Sequence, residues 1–495
     1  MPHANHVLAI DQGTTSTRAM VFDAAARRLS LARRELAQHY PAPGWVEHDA
    51  EDIWRDTRAV MAEALAQARL EATSIAAIGL TNQRETVVMW ERATGRPIHR
   101  ALVWQDRRTA PLCERLRSEG VEPLVRARTG LLLDPYFSAT KIAWLLDELP
   151  GIRARAERGE LACGTIETYL LWRLTDGAVH ATDPTNASRT LLFDIHRGTW
   201  DEELLEVFRV PRALLPSVHE SGRPCGATAP HLLGGAVLIG GVAGDQQAAL
   251  VGQACLEPGM AKSTYGTGCF LLLHTGARPV PSAHRLLTTP TCAVGGQRGY
   301  ALEGSIFVAG AAMRWLRDAL RLLGSPADSA AIAQSVPDTQ GVYLVPAFVG
   351  LGAPHWEPGA RGLICGLGFD TSAAHIVRAA LESVAYQTLD LTRAMQQDGA
   401  QAPRALRIDG GMAGNDWFCQ FLADMLAVPV ERPAELETTA LGAAFLAGLT
   451  AGVWPDAAAL ARTWSAAARF TPQLREDERM RRYEGWQQAL RRALA

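Results

Sequence analysis

The chain has 495 residues, 48% of them hydrophobic and 20% charged, with a net charge of −3. That length suggests two or three domains at roughly 100–200 residues each, and the composition excludes a disordered chain, while the charge gives no footprint for nucleic acid or an anionic membrane surface. The eight cysteines show no C-x-x-C spacing and the thirteen histidines no H-E-x-x-H pattern, so neither a zinc site nor a disulfide framework is read from them, and a reducing cytoplasm is the expected compartment.

Most histidines are expected at the surface. The polar start Met1–His6 lacks the apolar core of a secretory signal, and no apolar run approaches the ~18 residues of a membrane helix. The only lysines, Lys141 and Lys262, do not follow glycine in G-x-x-x-x-G-K-[ST], which excludes a P-loop.

Val7–Arg18 reads V-L-A-I-D-Q-G-T-T-S-T-R. Val7–Ile10 fit a buried strand, Ala19–Phe22 a return strand, and the polar residues between them a hairpin turn. Gly13 with Thr14, Thr15, Ser16 and Thr17 lets backbone and hydroxyl donors approach an anion. Asp11 would repel a phosphate unless a cation sat between them, which implies Mg²⁺, and Arg18 offers a positive fork. Taken alone, the same run is equally an ordinary polar turn.

Leu29–Gln38 is predicted as a strand, broken by Pro41, Pro43 and Gly44. Asp49 caps a predicted helix through Ala68, with Ile53, Trp54, Val60, Met61, Ala64, Leu65 and Ala68 at helical spacing. Ile75–Leu80 is a strand running into the polar loop Thr81–Glu85, followed by a strand at Thr86–Trp90. Val103–Arg108 is a second strand end dense in polar groups. Strands alternating with helices argue an α/β architecture with functional loops at strand ends.

Ala236–Val242 is a glycine-rich strand leading into A-G-D-Q-Q-A-A-L (243–250). Residues 261–273, A-K-S-T-Y-G-T-G-C-F-L-L-L, then echo the opening hairpin. This suggests two related halves, each with one phosphate hairpin. Leu406–Gly411 is a third strand end, D-G-G, with Asn415 before a helix at about 416–426. Gly341–Gly362 reads as an ordered loop. Arg475–Ala495 reads as a charged helix with Met480, Tyr483, Trp486 and Leu490 inward.

These motifs together resemble the FGGY carbohydrate-kinase family along essentially the whole chain. The matching stretches are D-Q-G-T-T-S-T-R (11–18), T-N-Q-R-E (81–85), V-W-Q-D-R-R-T (103–109), D-P-Y-F-S (134–138), A-G-D-Q-Q-A-A-L, T-Y-G-T-G-C-F (264–270), A-L-E-G-S (301–305) and D-G-G (409–411). Two longer family signatures fit Tyr136–Glu148 and Gly362–Glu382. N-Q-R-E and the G-D-Q-Q context are similar to the members that phosphorylate glycerol.

The resemblance implies two ribonuclease-H-like α/β domains of the actin/hexokinase type flanking a catalytic cleft. The expected division is 1–252, with the glycerol site and first phosphate loop, and 253–495, with the nucleotide site. The implied substrates are glycerol and ATP with Mg²⁺, and the implied assembly is a homodimer or homotetramer. Rivals are a kinase for another polyol or sugar, and a non-catalytic nucleotide-driven clamp.

The implied general base is Asp245, since phosphoryl transfer needs a group that orients the attacking hydroxyl and takes its proton; the plainer alternative is a helix-capping Asp. Arg84, Glu85, Tyr136 and Gln246 would bond the glycerol hydroxyls, with Trp104 and Phe270 against its carbons. The alternatives are a surface ion pair for Arg84–Glu85 and core packing for the two rings. Thr14, Thr15, Ser16, Arg18, Thr267 and Gly268 match phosphate contacts. Gly310, Gly411 and Asn415 match nucleotide contacts. Asp11 and Asp245 would face Mg²⁺ through water. Arg314 departs from the Gln that family members often carry. It lies four residues after Gly310, on the same side of a predicted helix, where it would meet adenine or a phosphate.

Overall fold

The apolar opening becomes strand β1 (His6–Gln12), whose residues Val7–Ile10 are wholly buried. A continuous apolar run is what a strand covered on both faces requires. The molecule is described here from a computed structural model covering residues 4–296 and 298–495; the first three residues of the polar Met1–His6 start lie outside the described residues. Its contacts divide the chain into two compact units. The first holds 1–256, 288–300 and 438–463, and the second holds 257–287, 301–437 and 464–495.

In the first unit β1 pairs antiparallel with β2 (Ser16–Phe22), which pairs with β3 (Arg28–Glu35). The hairpin turn is tighter than its sequence suggests. Pairing runs through Asp11↔Arg18 and Gln12↔Thr17, and the Gly13 N–H closes the turn on the Ser16 carbonyl at 2.9 Å. Ser16, Thr17 and Arg18 are therefore strand residues, because the ladder continues as long as alternate side chains find cover.

Helix α1 (Ala50–Ala68) starts where Asp49, in extended geometry, accepts the Glu51 N–H. It buries Ile53, Trp54, Val60, Met61, Ala64 and Leu65. Strand β4 (Ile75–Asn82) runs parallel to β1, and β5 (Ile239–Gly244) runs parallel to β4, giving the order β5-β4-β1-β2-β3. β4 reaches Asn82, so the polar loop expected from Thr81 begins two residues later, where Gln83 N–H still bonds the Gln12 carbonyl. The helix Thr438–Thr450 is apolar almost all round and is covered accordingly: it lies against β1, β4, β5 and α2 (Asp245–Gly252).

The second unit repeats the plan. β6 (Ala261–Tyr265) pairs antiparallel with β7 (Cys269–Gly276) and parallel with β9 (Leu406–Asp409), which pairs parallel with β10 (Val430–Pro433); with β8 (Tyr300–Ile306) the order is β10-β9-β6-β7-β8. Its helices include α3 (Gly310–Asp318), α4 (Ala373–Gln397), α5 (Asp416–Leu426) and α6 (Glu476–Leu494). The inward face expected for α6 is present: Tyr483, Trp486 and Leu490 are buried and Met480 half-buried. Tyr483, Trp486 and Gln487 all donate to Asp390 of α4, whose carboxyl burial pushes up to about 6.

The histidines differ from expectation. Among the described residues three are exposed, whereas His48, His274 and His375 are buried. Burial of His48, with His39 nearby, lowers its pKa to about 4, so its ring is neutral. His375 instead takes part in the Ser372 capping box of α4. No described helix is long and apolar enough to cross a membrane.

Candidate active site

Three parallel strands set one edge of the first unit. Asp11 on β1 and Ala243 on β5 both stand in register with Thr81 on β4. The chain therefore leaves these strands at a common level, the edge where α/β sheets carry ligands. From β4 come Gln83, Arg84 and Glu85; from β5 comes Asp245, the first residue of α2, after the cap residue Gly244.

Asp245 is one-third exposed. Its Oδ1 meets Arg84 Nε at 3.2 Å and the Gln246 N–H at 2.7 Å, and its Oδ2 accepts from Gln246 Nε2 at 3.1 Å. Arg84 is buried and also donates Nη1 to Gln247 Oε1 at 3.3 Å. The pair Arg84–Glu85 is therefore no surface ion pair. Both side chains are 2% exposed and stand 3.9 Å apart, and a buried cation needs a well-formed partner, which Asp245 supplies.

Glu85 also meets Arg189, whose Nε donates to Oε1 at 2.5 Å. Its backbone has φ of 64°, a conformation that costs a non-glycine residue about 1–3 kcal/mol and collects at functional sites. Ser138 Oγ holds its carbonyl at 3.0 Å.

Tyr136 stacks edge-on to Trp104 with centroids 5.4 Å apart. Trp104 is half-buried, and its Nε1 donates to Thr14 Oγ1 at 2.9 Å. That bond ties the expected apolar wall to the hairpin turn, so Trp104 does more than fill the core. Lys141, wholly buried, donates to the carbonyls of Pro135, Tyr136 and Phe137 and pins the turn that carries Tyr136. Burial lowers its pKa to about 8. In the hairpin, Thr14 is half-buried and Thr15 exposed. Arg18 Nε donates to Ser16 Oγ at 3.3 Å, and its Nη1 lies 3.9 Å from Asp11 Oδ2.

In the second unit the turn 266–268 sits on the start of α3. Ala309 and Ala311 N–H bond the Thr267 carbonyl at 2.9 and 3.1 Å, and Gly310 N–H bonds the Gly266 carbonyl at 3.0 Å. A Cβ on Gly268 would stand 2.5 Å from the Ile306 carbonyl oxygen, so nothing larger fits. Arg314, exposed one turn into α3, donates Nη2 to Thr267 Oγ1 at 2.9 Å. Gly411 opens the short turn after β9, and a Cβ there would meet nothing within 4 Å. Asn415 caps α5 through Phe418 N–H at 2.9 Å and donates to Ser329 Oγ at 3.2 Å. Phe270 is half-buried opposite Thr264.

The structure thus joins Arg84, Asp245 and Gln246 by bonds, Thr14 with Trp104 and the Tyr136 ring, and Thr267 with Arg314, while Gly310 bonds Gly266. Asp11 and Asp245 leave β1 and β5, two strands apart, about 10 Å at ordinary strand spacing.

Sequence reading missed the segment Asp183–Arg189. Asn186 pairs amide to amide with Asn82 at 3.0 and 3.1 Å, and Arg189 meets Glu85. Glu167 accepts from Asn82, Thr165, Thr168 and Thr182, and burial pushes its carboxyl up to about 7. The available signal was local: Asp183 before Pro184 marks a helix start, and Asp183 does cap 184–187. Nothing local shows what that helix touches.

Residues 6–252 match the N-terminal domain of the FGGY family of carbohydrate kinases, and residues 261–451 its C-terminal domain. The chain is 59% identical to a glycerol kinase of Gluconobacter oxydans over 99% of its own length and 95% of that protein. It is 59% identical to one of Methylobacterium nodulans over 98% and 97%. Among solved structures it is similar to Plasmodium falciparum glycerol kinase with ADP, at a TM-score of 0.93 and 35% identity over 99% of both chains. A xylulose kinase from Lactobacillus acidophilus, at a TM-score of 0.88 and 20% identity over 98% and 97%, shares the fold.

Proposed function

The chain belongs to the FGGY family of carbohydrate kinases, and from that premise we propose that it phosphorylates glycerol with ATP to sn-glycerol 3-phosphate, with Asp245 as general base. The observation that carries this reading is the contact of buried Arg84 with the partly exposed Asp245 at 3.2 Å, set in a chain 59% identical to glycerol kinases over nearly its whole length. A fixed cation beside a carboxylate suits a triol, which both donates and accepts.

Asp245 Oδ1 is held by two donors, and Oδ2 carries the one longer bond from Gln246. Oδ2 keeps acceptor capacity for the proton of a terminal glycerol hydroxyl. As that proton moves to Oδ2, the hydroxyl oxygen bonds to the γ-phosphorus and the bond to the ADP oxygen breaks. Arg84, Glu85, Tyr136 and Gln246 bond the remaining hydroxyls, Arg189 fixes Glu85, and Trp104 meets the carbon chain. Thr14, Thr15, Ser16 and Arg18 serve the phosphates from the first unit. Thr267, Gly268, Gly310, Arg314, Gly411 and Asn415 serve the nucleotide from the second.

The donor set fits magnesium. Asp11 and Asp245 offer hard oxygens at one sheet edge, while no described group of three His, Cys, Asp or Glu forms a dedicated cage, and Mg²⁺ typically keeps several waters. When bound, it offsets charge on the ATP phosphates.

The test is ADP release measured over glycerol, dihydroxyacetone, glyceraldehyde, erythritol and xylulose. Glycerol should give the highest kcat/KM; preference for another member would reject the substrate. Asp245→Asn should lose at least ~10²-fold in turnover while still binding nucleotide. Near-normal turnover would remove Asp245 from this role.

A further inference from the structure

We propose that Thr185 is a positioning residue for phosphoryl transfer: its hydroxyl, oriented by the Asp183 carboxylate, holds the Gly244 N–H and so sets the backbone from which Asp245 projects. The inference rests on the reading of Asp245 as general base.

Thr185 is wholly buried. Its Oγ1 donates to Asp183 Oδ2 at 2.7 Å and accepts the Gly244 N–H at 2.8 Å. A hydroxyl has a single proton. With that proton on the carboxylate, its lone pairs face Gly244, and the bonded anion makes the oxygen a better acceptor. Asp183 is itself fixed, since it also accepts from Ser221 Oγ at 2.6 Å, Asn186 Nδ2 at 2.9 Å, and the N–H groups of Thr185 and Asn186. The hydroxyl therefore has one arrangement available.

Gly244 is the cap of α2 and the residue before Asp245. A Cβ there would stand 2.8 Å from Arg84 Cγ and Cδ, so its backbone lies against the stem of the side chain that grips Asp245. A shift of Gly244 moves the backbone from which the Asp245 carboxylate projects. Displacements on the order of 1 Å can cost ~10²-fold in rate. No glycerol or nucleotide contact is asked of Thr185.

Steady-state kinetics on the full chain test this with Thr185→Val, which keeps the shape and removes the hydroxyl, and Thr185→Ser, which keeps the hydroxyl. Thr185→Val should lower kcat about tenfold or more with both KM values within about twofold, and Thr185→Ser should stay within about threefold of the parent. Added to Asp245→Asn, Thr185→Val should cost nothing further, because the residue acts through the group already lost. Parental kcat in Thr185→Val, equal losses in the Val and Ser variants, or an undiminished extra loss in the Asp245→Asn background would each overturn the proposal. If Thr185→Val does not fold, Asp183→Asn serves in its place; a loss of kcat with both KM values kept supports the relay, and parental kcat overturns it. Parental turnover in Asp245→Asn alone would instead defeat the reading of Asp245, a result separate from any of these.

Discussion

Five strands follow one order in each unit, β5-β4-β1-β2-β3 in the first and β10-β9-β6-β7-β8, within a seven-stranded sheet, in the second, yet they present different chemistry at corresponding strand ends. Around β1, β4 and β5 the candidate groups are side chains, and buried ones: Arg84, Glu85 and Gln246, cross-braced by Arg189 and the Asp183–Asn186 turn. Around β6 and β9 they are chiefly backbone and glycine, with Gly268 against the Ile306 carbonyl and Gly411 facing open space. A small uncharged polyol can be distinguished only by donors and acceptors fixed at each hydroxyl. Phosphates are met by rows of backbone N–H groups that a side chain would block. Under the proposed function, the same scaffold carries a side-chain reader on one unit and a backbone reader on the other.

Substitutions should separate the two readers. The largest effect is expected from Arg84→Ala. It strips charge-assisted bonds from a buried site and leaves Asp245 Oδ1 and Gln247 with fewer partners. Glycerol KM should rise ~10–100-fold, with kcat also reduced and ATP KM within about twofold. Equal losses for both substrates in steady-state titrations would mean that Arg84 supports the fold rather than reads glycerol.

Next come two glycines of the second unit. Gly268→Ala drives a Cβ into the Ile306 carbonyl and should cost about 1–3 kcal/mol of stability in urea unfolding together with ATP affinity. Gly411→Ala meets no protein atom within 4 Å, so its stability should match the parent while ADP affinity, measured calorimetrically, falls severalfold. Unchanged ADP binding in Gly411→Ala would place the nucleotide elsewhere. Glycerol KM should hold in both.

The smallest effect is expected at Arg314, an exposed side chain that bonds Thr267 Oγ1. Exposure discounts its charge. Arg314→Gln should raise ATP KM only about two- to fivefold and leave adenine preference over guanine alone, since the guanidinium bonds Thr267 of the turn 266–268. A change in ATP-to-GTP selectivity would show that it meets the base.

The legibility of this chain follows the range of each signal. The Asp49 cap of α1, the apolar run of β1, the inward stripe of α6 and the Asn415 cap of α5 are each written within a few residues, and helical or strand periodicity is a local property. The two halves were legible as well, because the turns G-T-T and G-T-G repeat one local solution. Where the hairpin turn ended was not, since that depends on cover supplied by β3 and β4.

The sequence by itself determined the α/β class and the family, and it named candidate site residues apart from the segment Asp183–Arg189, because motif identity lies in residue type and spacing. Only the tertiary structure decided partners. Arg84 bonds Asp245 and Gln247 besides facing its neighbour Glu85, and Glu85 takes Arg189. Thr185 reaches Gly244, and the helix Thr438–Thr450 lies with the first unit. Each pairing joins positions far apart in the chain, brought together by parallel crossovers and strand order. A buried charge is satisfied by whatever those crossovers place beside it, which no stretch of local sequence encodes.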